Sequence, residues 1–194
     1  MDKVSYALGL SIGNNFQNSG IKDLQVEDFV QGVNDVLTEA KPALSYDEAK
    51  QVINDYFMKL QQEKLEINKK AGEEFLSINK HKAGVVELPS GLQYEVLKNG
   101  TGANPTANDK VKCHYHGTLI NGQVFDSSVQ RGEPAVFGVS QVIPGWVEAL
   151  QLMPEGSKWK LYIPSELAYG AQGAGEMIPP HSTLVFEVEL IEVL

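Results

Sequence analysis

Cysteine is almost missing from this chain: Cys113 stands alone, so no intramolecular disulfide can form. That fits a reducing compartment without requiring one. Long hydrophobic runs are missing too, since none approaches the roughly 18 residues a membrane-spanning helix needs. The start, Met1-Asp2-Lys3-Val4-Ser5, lacks the apolar region of a secretory signal. The expectation is a cytoplasmic protein with no membrane segment, or a periplasmic one whose leader has been removed. Positive charge is scarce: 16 Lys and Arg face 25 Asp and Glu, for a formal net charge of −9. This argues against a nucleic-acid surface, because phosphate backbones call for clustered Lys and Arg.

The usual catalytic constellations are also wanting. No Ser sits in a nucleophile elbow, and no His is spaced to suggest a triad. His114 and His116 share one strand face without a third ligand, which reads as a solvated face and predicts no metal site. The glycine-rich run from Gly170 to Gly175 is followed by Ile178-Pro179-Pro180, not by a helix. A phosphate loop needs a helix N-terminus behind it, so this run reads as a flexible surface loop, and no cofactor is expected. One carboxylate, Asp126, follows Phe125 at a strand end. It has no acid partner for hydrolysis, and capping the turn at Ser127 and Ser128 is as good a role for it as a direct one.

What is present divides in two. Hydrophobic residues make up 42% of 194 residues, enough for one large core or two small ones. Val4, Leu8, Ile12 and Phe16 recur every four residues up to Gly20, and Val26, Phe29, Val30, Val33, Val36 and Leu37 keep to one face of a second helix. Ser45 and Glu48 form a capping box that opens a third helix. From Tyr46 to about Lys82 there is no proline and one glycine, Gly72, which allows about 55 Å of continuous helix. Its first half carries an apolar stripe through Tyr46, Ile53, Phe57 and Leu60. Beyond Gln61 charges dominate, and that half reads as a solvent-bridging stalk that does not pack on its neighbour. Two short helices and half of a long one make a thin core, of a kind completed by pairing with a second copy through residues 1–60.

After Ala83-Gly84 and Pro89-Ser90-Gly91 the pattern changes to alternation. Tyr94 and Val96; Val111, Cys113 and Tyr115; Trp159, Leu161 and Ile163; and Leu184, Phe186, Val188 and Leu190 each recur every second residue. These are antiparallel strands with one wet face. Cys113 falls on the dry face and reads as a small buried hydrophobe. The expected fold class is α+β. A helical domain and stalk over residues 1–82 precede a domain over 83–194, in which an antiparallel sheet wraps one short helix after Pro144-Gly145-Trp146. Trp146, with Tyr115, Phe125, Tyr169 and Phe186, suits an apolar ligand cup; a Trp that only pins its helix to the sheet is the alternative.

Five segments then carry a resemblance. Val111–Gly117, Gly122–Ser128, Val142–Trp146, Leu167–Gly170 and Ile178–Phe186 are similar, in order, to the FKBP-type peptidyl-prolyl cis-trans isomerases, over about Gly91 to Leu194. Leu8–Phe16 and the long helix resemble the bacterial macrophage-infectivity-potentiator branch, whose intertwined N-terminal helices dimerise and hold the catalytic domains apart in a V. The resemblance implies an EC 5.2.1.8-type enzyme acting on proline-containing peptides and unfolded proteins, and inhibition by macrolides of the rapamycin type. It implies catalytic roles for Tyr115, Phe125, Asp126, Ile143, Trp146 and Tyr169, and substrate-binding roles for Phe137, Val142, Ile178 and Phe186. Trp146 would lie under the proline ring, and Ile143 would offer its backbone N–H to a substrate carbonyl. Ala135 and Ala174 stand where relatives carry Phe and His, so the pocket rim departs from theirs. A chaperone-like binding module with a vestigial pocket is the rival function.

Overall fold

The computed structural model describes residues 1–194, which fall into two compact units, Met1–Glu63 and Lys64–Leu194. In the first, helix α1 spans Lys3–Ser19, α2 spans Val26–Leu37, and α3 begins at Tyr46. Asp2 caps α1 by accepting from the Ser5 N–H at 2.8 Å, and Gly20 ends it in the left-handed conformation that lets its N–H reach back to Phe16 and Gln17. Phe16 meets Phe29 edge to face at 5.3 Å, tying α1 to α2. Ser45 and Glu48 exchange the expected reciprocal bonds, Glu48 N–H to Ser45 Oγ at 3.2 Å and Ser45 N–H to Glu48 carboxylate at 2.9 Å.

This unit has almost no interior. No residue of α1 is buried, and Val4, Tyr6, Leu8, Val30, Val36, Val52 and Ile53 are each more than half exposed. The apolar stripes form as the periodicity requires, yet within one chain they cover little of each other.

The second unit is built on a seven-stranded antiparallel sheet: β1 (Val85–Glu87), β2 (Gln93–Lys98), β3 (Lys110–Leu119), β4 (Val124–Ser127), β5 (Ala135–Gly138), β6 (Lys158–Ile163) and β7 (Leu184–Val193). The spatial order is β1-β2-β6-β7-β3-β4, with β5 also pairing with β3. A short helix α4 (Ser128–Arg131) follows β4, and α5 (Pro144–Leu152) lies against the sheet. Alternation in β3 buries Val111, Cys113 and Tyr115 and leaves Lys112, His114 and His116 half-exposed. Cys113 is fully inaccessible, and its thiol pKa is pushed up to about 12 by burial. Leu150, Met153, Leu161, Ile163, Leu184 and Val188 complete the core. Pro144 supplies the first turn of α5, where its missing N–H costs nothing. Gly145 is required beside it: a Cβ there would stand 2.5 Å from Ile163 Cγ2, so only glycine lets α5 close onto β6.

The chain departs from the sequence reading at the stalk. Helix α3 runs unbroken from Tyr46 to Asn79, and from Lys64 onward it lies in one compact unit with the sheet. Asn68, Gly72, Phe75, Leu76 and Asn79 recur at three- and four-residue spacing along the face that packs. Gly72 is buried against Thr183, and Phe75 approaches Tyr162 at 6.0 Å between ring centroids. Asn79 and Gln93 are fully buried, with Asn79 Nδ2 donating to Gln93 Oε1 at 3.0 Å and Gln93 Nε2 donating to the Leu76 carbonyl at 2.9 Å. A docking face made of amides and a glycine has little hydrophobic periodicity, so the charges around it gave the appearance of a helix polar on all sides.

Candidate active site

A cavity of about 690 Å3 in the second unit opens between α5, the strands β3, β4 and β7, and the loop after Tyr169. Trp146, in the first turn of α5, is 4% exposed and forms its floor. Tyr115, Phe137 and Phe186 surround the indole at centroid distances of 5.5, 5.7 and 5.3 Å, all within 10° of perpendicular. Near-perpendicular packing of this kind is a favoured arrangement of aromatic pairs and fixes the indole in place. Phe125 stands edge to face on Phe186 at 5.3 Å. Gly117 makes room for that pair, because a Cβ there would meet both rings at 2.7 Å.

Polar groups reach this cup at a few points. Tyr115 Oη donates to Asp126 Oδ2 at 2.6 Å, and Arg131 donates to Asp126 Oδ1 through Nη1 and to Tyr115 Oη through Nη2 at 2.7 Å. Partial burial would raise the Asp126 carboxyl pKa, but the hydrogen bonds from Tyr115 and Arg131 and the guanidinium charge outweigh it and hold the carboxyl below the usual aspartate range. The Tyr115 phenol is shifted upward, by burial first and then by donating to that carboxylate. At neutral pH the group is therefore an ionised Asp126, a neutral Tyr115 and a charged Arg131. The Ile143 N–H, at the N-cap of α5, donates to no other group of the chain, and the Tyr169 phenol has no partner. The Trp146 indole N–H is buried without an acceptor.

All ten residues named from the sequence line this one cavity: Tyr115, Phe125, Asp126, Phe137, Val142, Ile143, Trp146, Tyr169, Ile178 and Phe186. Sequence reasoning missed Arg131, which bonds Asp126 and Tyr115, and the lining residues Gln141, Glu176 and Met177. The available signal for Arg131 was its place at the end of a four-residue helix, between a Ser cap and Gly132, which turns it back five residues onto Asp126. Asp126 holds both roles the sequence left open: its carboxylate is stabilised by the Ser127 backbone and also by Tyr115 and Arg131 at the pocket, while Ser127 Oγ accepts from the Gln130 N–H at 3.2 Å. The run from Gly170 to Gly175 lies at the surface with Ala171 and Gln172 exposed, but its end, Ala174 and Gly175, lines the cavity, held by a bridge between Ala174 and Ile178. His114 and His116 bond Ser128 and Ser127 at 3.0 and 2.9 Å, and no cluster of three metal-ligating side chains occurs.

A sheet folded over one short helix, with an aromatic cup floored by that helix's Trp, suits a domain that holds a peptide. Family models agree: FKBP-type peptidyl-prolyl cis-trans isomerase matches residues 102–191, and the domain amino terminal to it matches residues 1–96. The FKBP-type 22 kDa peptidyl-prolyl cis-trans isomerase of Escherichia coli is 47% identical over 99% of this chain and 95% of its own. The outer membrane protein MIP of Legionella longbeachae is 46% identical over 99% of this chain and 85% of that protein. The crystal structure of FkpA from Escherichia coli superposes with a TM-score of 0.78 at 38% identity, covering 98% of this chain and 95% of that one. The chain belongs to the FKBP-type peptidyl-prolyl cis-trans isomerase family.

Proposed function

We propose that the cavity over Trp146 accelerates rotation about X-Pro bonds by taking the amide out of water between fixed donors. The observation that carries this reading is the dry aromatic floor beside an ionised, fully partnered Asp126, with no nucleophile–base pair in reach. Rotation breaks amide resonance against a barrier of about 18–20 kcal/mol. In the twisted state the carbonyl dipole falls and the nitrogen lone pair is localised, so a water-excluding site disfavours the planar form relative to the transition state. A proline ring seated on the indole puts the preceding carbonyl near the Ile143 N–H, with the Tyr169 phenol as a second donor. Tyr115 and Arg131 fix the Asp126 carboxylate beside the rotating bond. Each 1.36 kcal/mol of such preference is tenfold in rate, so several modest contacts suffice. The test is a chymotrypsin-coupled tetrapeptide assay: folded Phe125→Ala should lose most of its turnover, and unchanged turnover would remove the assigned site. A vestigial pocket in a binding module is not favoured, because relatives named as isomerases match nearly the whole chain.

The substrates proposed are proline-containing peptides and unfolded chains. Macrolides of the rapamycin type are proposed inhibitors, since about 690 Å3 lies within the usual range for drug-sized ligands. The first unit is proposed to form a homodimer. What supports this is the set of apolar stripes on α1, α2 and the first half of α3 that one chain leaves uncovered, with nothing within 4 Å of a Cβ built at Gly9 or Gly13. A stable folded monomer at micromolar concentration in analytical ultracentrifugation would sink it. For location, the sequence reading is the cytoplasm, while the relative named an outer membrane protein supports the cell envelope; fractionation of the native protein decides between them.

A further inference from the structure

The segment that joins the pocket rim to β7 is held from outside the pocket. The rim runs from Tyr169 to Ile178 and is closed at its base by the His181 N–H donating to the Gly170 carbonyl at 2.8 Å. His181 adopts φ 57°, a left-handed conformation that costs a non-glycine residue free energy and persists only where the surroundings hold it. Its Nδ1 is buried without a partner, so the imidazole does not anchor the turn through that atom. The anchors come from α3. Asn68 Nδ2 donates to the Pro180 carbonyl and to Ser182 Oγ, the latter at 3.1 Å, and Ser182 Oγ in turn donates to the Pro179 carbonyl at 2.7 Å. One turn further along, Gly72 lies so close to Thr183 that a Cβ would stand 2.4 Å from Thr183 Oγ1. The helix therefore grips both residues flanking His181 and the first residue beyond.

We propose that the Lys64–Asn79 half of α3 is part of the catalytic unit, and that Asn68 and Gly72 are positioning residues for the Tyr169–Ile178 rim. The proposal rests on the pocket reading above. Asn68 fixes the base of the rim, the base fixes the bridge between Ala174 and Ile178, and the bridge sets how Tyr169 and Ile178 meet a bound peptide. Neither Asn68 nor Gly72 touches substrate, so their loss is felt as a looser site, seen in KM more than in the bond rotation itself.

The experiment compares the full chain with its Asn68→Ala and Asn68→Asp variants, by amide hydrogen exchange and by tetrapeptide kinetics. Asp keeps the shape of Asn68 and cannot donate to the Pro180 carbonyl, so it serves if Ala lowers global stability. Losing such a bond should speed exchange of the Ala174, Ile178 and His181 amides about threefold to tenfold relative to amides of β3 and β7. KM should rise by about the same factor, with kcat changed less than about twofold. Gly72→Ala should act alike, and adding Thr183→Ala should restore much of the loss by removing the oxygen it meets. Exchange at the three rim amides no faster than in the sheet would overturn the proposal. So would faster rim exchange with KM unchanged, which would make Asn68 a stabiliser of a turn and nothing more. The exchange readout does not depend on the pocket assignment, which Phe125→Ala tests separately.

Discussion

Gly117→Ala asks whether the aromatic walls must stand where they do. Gly117 lies in β3 opposite Asp126 of β4 and Phe186 of β7, and its φ permits any residue. The added methyl would meet Phe125 Cζ and Phe186 Cε1 at 2.7 Å, where carbon contacts normally settle near about 3.5–4.0 Å. One ring must move by roughly 1 Å. Phe186 is 5% exposed and sits in a strand paired on both sides, whereas Phe125 is half-buried in β4, which pairs with β3 alone. The displacement therefore falls on Phe125 and on its neighbour Asp126. Overpacking of this kind costs about 1–3 kcal/mol of stability, and a misplacement of about 1 Å can cost up to about a hundredfold in rate. The expected outcome is a folded protein with a lower Tm and kcat/KM reduced by roughly tenfold or more. Adding Phe125→Leu should return stability without returning activity, because the smaller side chain yields the space but not the wall. A folded Gly117→Ala protein with wild-type Tm and kcat/KM would refute the reasoning.

Three further outcomes follow from the geometry. A fragment beginning at Lys64 should be more stable in urea than one beginning at Ala83 by about 2 kcal/mol or more, since the shorter one uncovers the sheet face under Phe75 and Leu76 and loses the bonds Gln93 makes to Asn79 and Leu76. Leu8→Glu should convert the proposed dimer to monomer in analytical ultracentrifugation while tetrapeptide turnover stays near wild type. The pH profile of kcat/KM should be flat from about 5 to about 9, because Asp126 is held below the ordinary value of about 3.9 and Tyr115 above about 10. By linkage, the Asp126 contribution to stability is complete above the ordinary carboxylate value and is lost as pH falls through its lowered folded value. That of Tyr115 is complete below the ordinary phenol value and is lost as pH rises through its raised one.

Much of this fold was legible because its rules are short-range. Alternation marked β3, β6 and β7, and Pro144-Gly145-Trp146 marked the start of α5. The aromatics around Trp146 were legible as an apolar cup, but the rest of the pocket needed a resemblance, since its lining comes from separate segments from Tyr115 to Phe186 that no single-window pattern joins. Arg131 was missed because its role depends on how α4 turns back on Asp126. The docked half of α3 was misread for a different reason. Its contact face is Asn68, Gly72 and Asn79, interleaved with Phe75 and Leu76, and hydrophobic periodicity does not register amides whose partners lie far along the same chain. The cavity-lining end of the rim loop was missed likewise, because the bonds that close it join residues several positions apart.

Cys113 gives the protein a clock. It is the sole thiol, it lies at the centre of β3 between β5 and β7, and burial keeps it protonated at neutral pH. Thiol reagents attack the thiolate, so no modification can proceed while these strands stay paired. The labelling half-time at neutral pH therefore reports how often the sheet of the second unit opens, with no tag and no competing site. Fraying of the helices in the first unit would leave it unchanged, and any substitution that loosens the cup by parting β3 from its neighbours would shorten it.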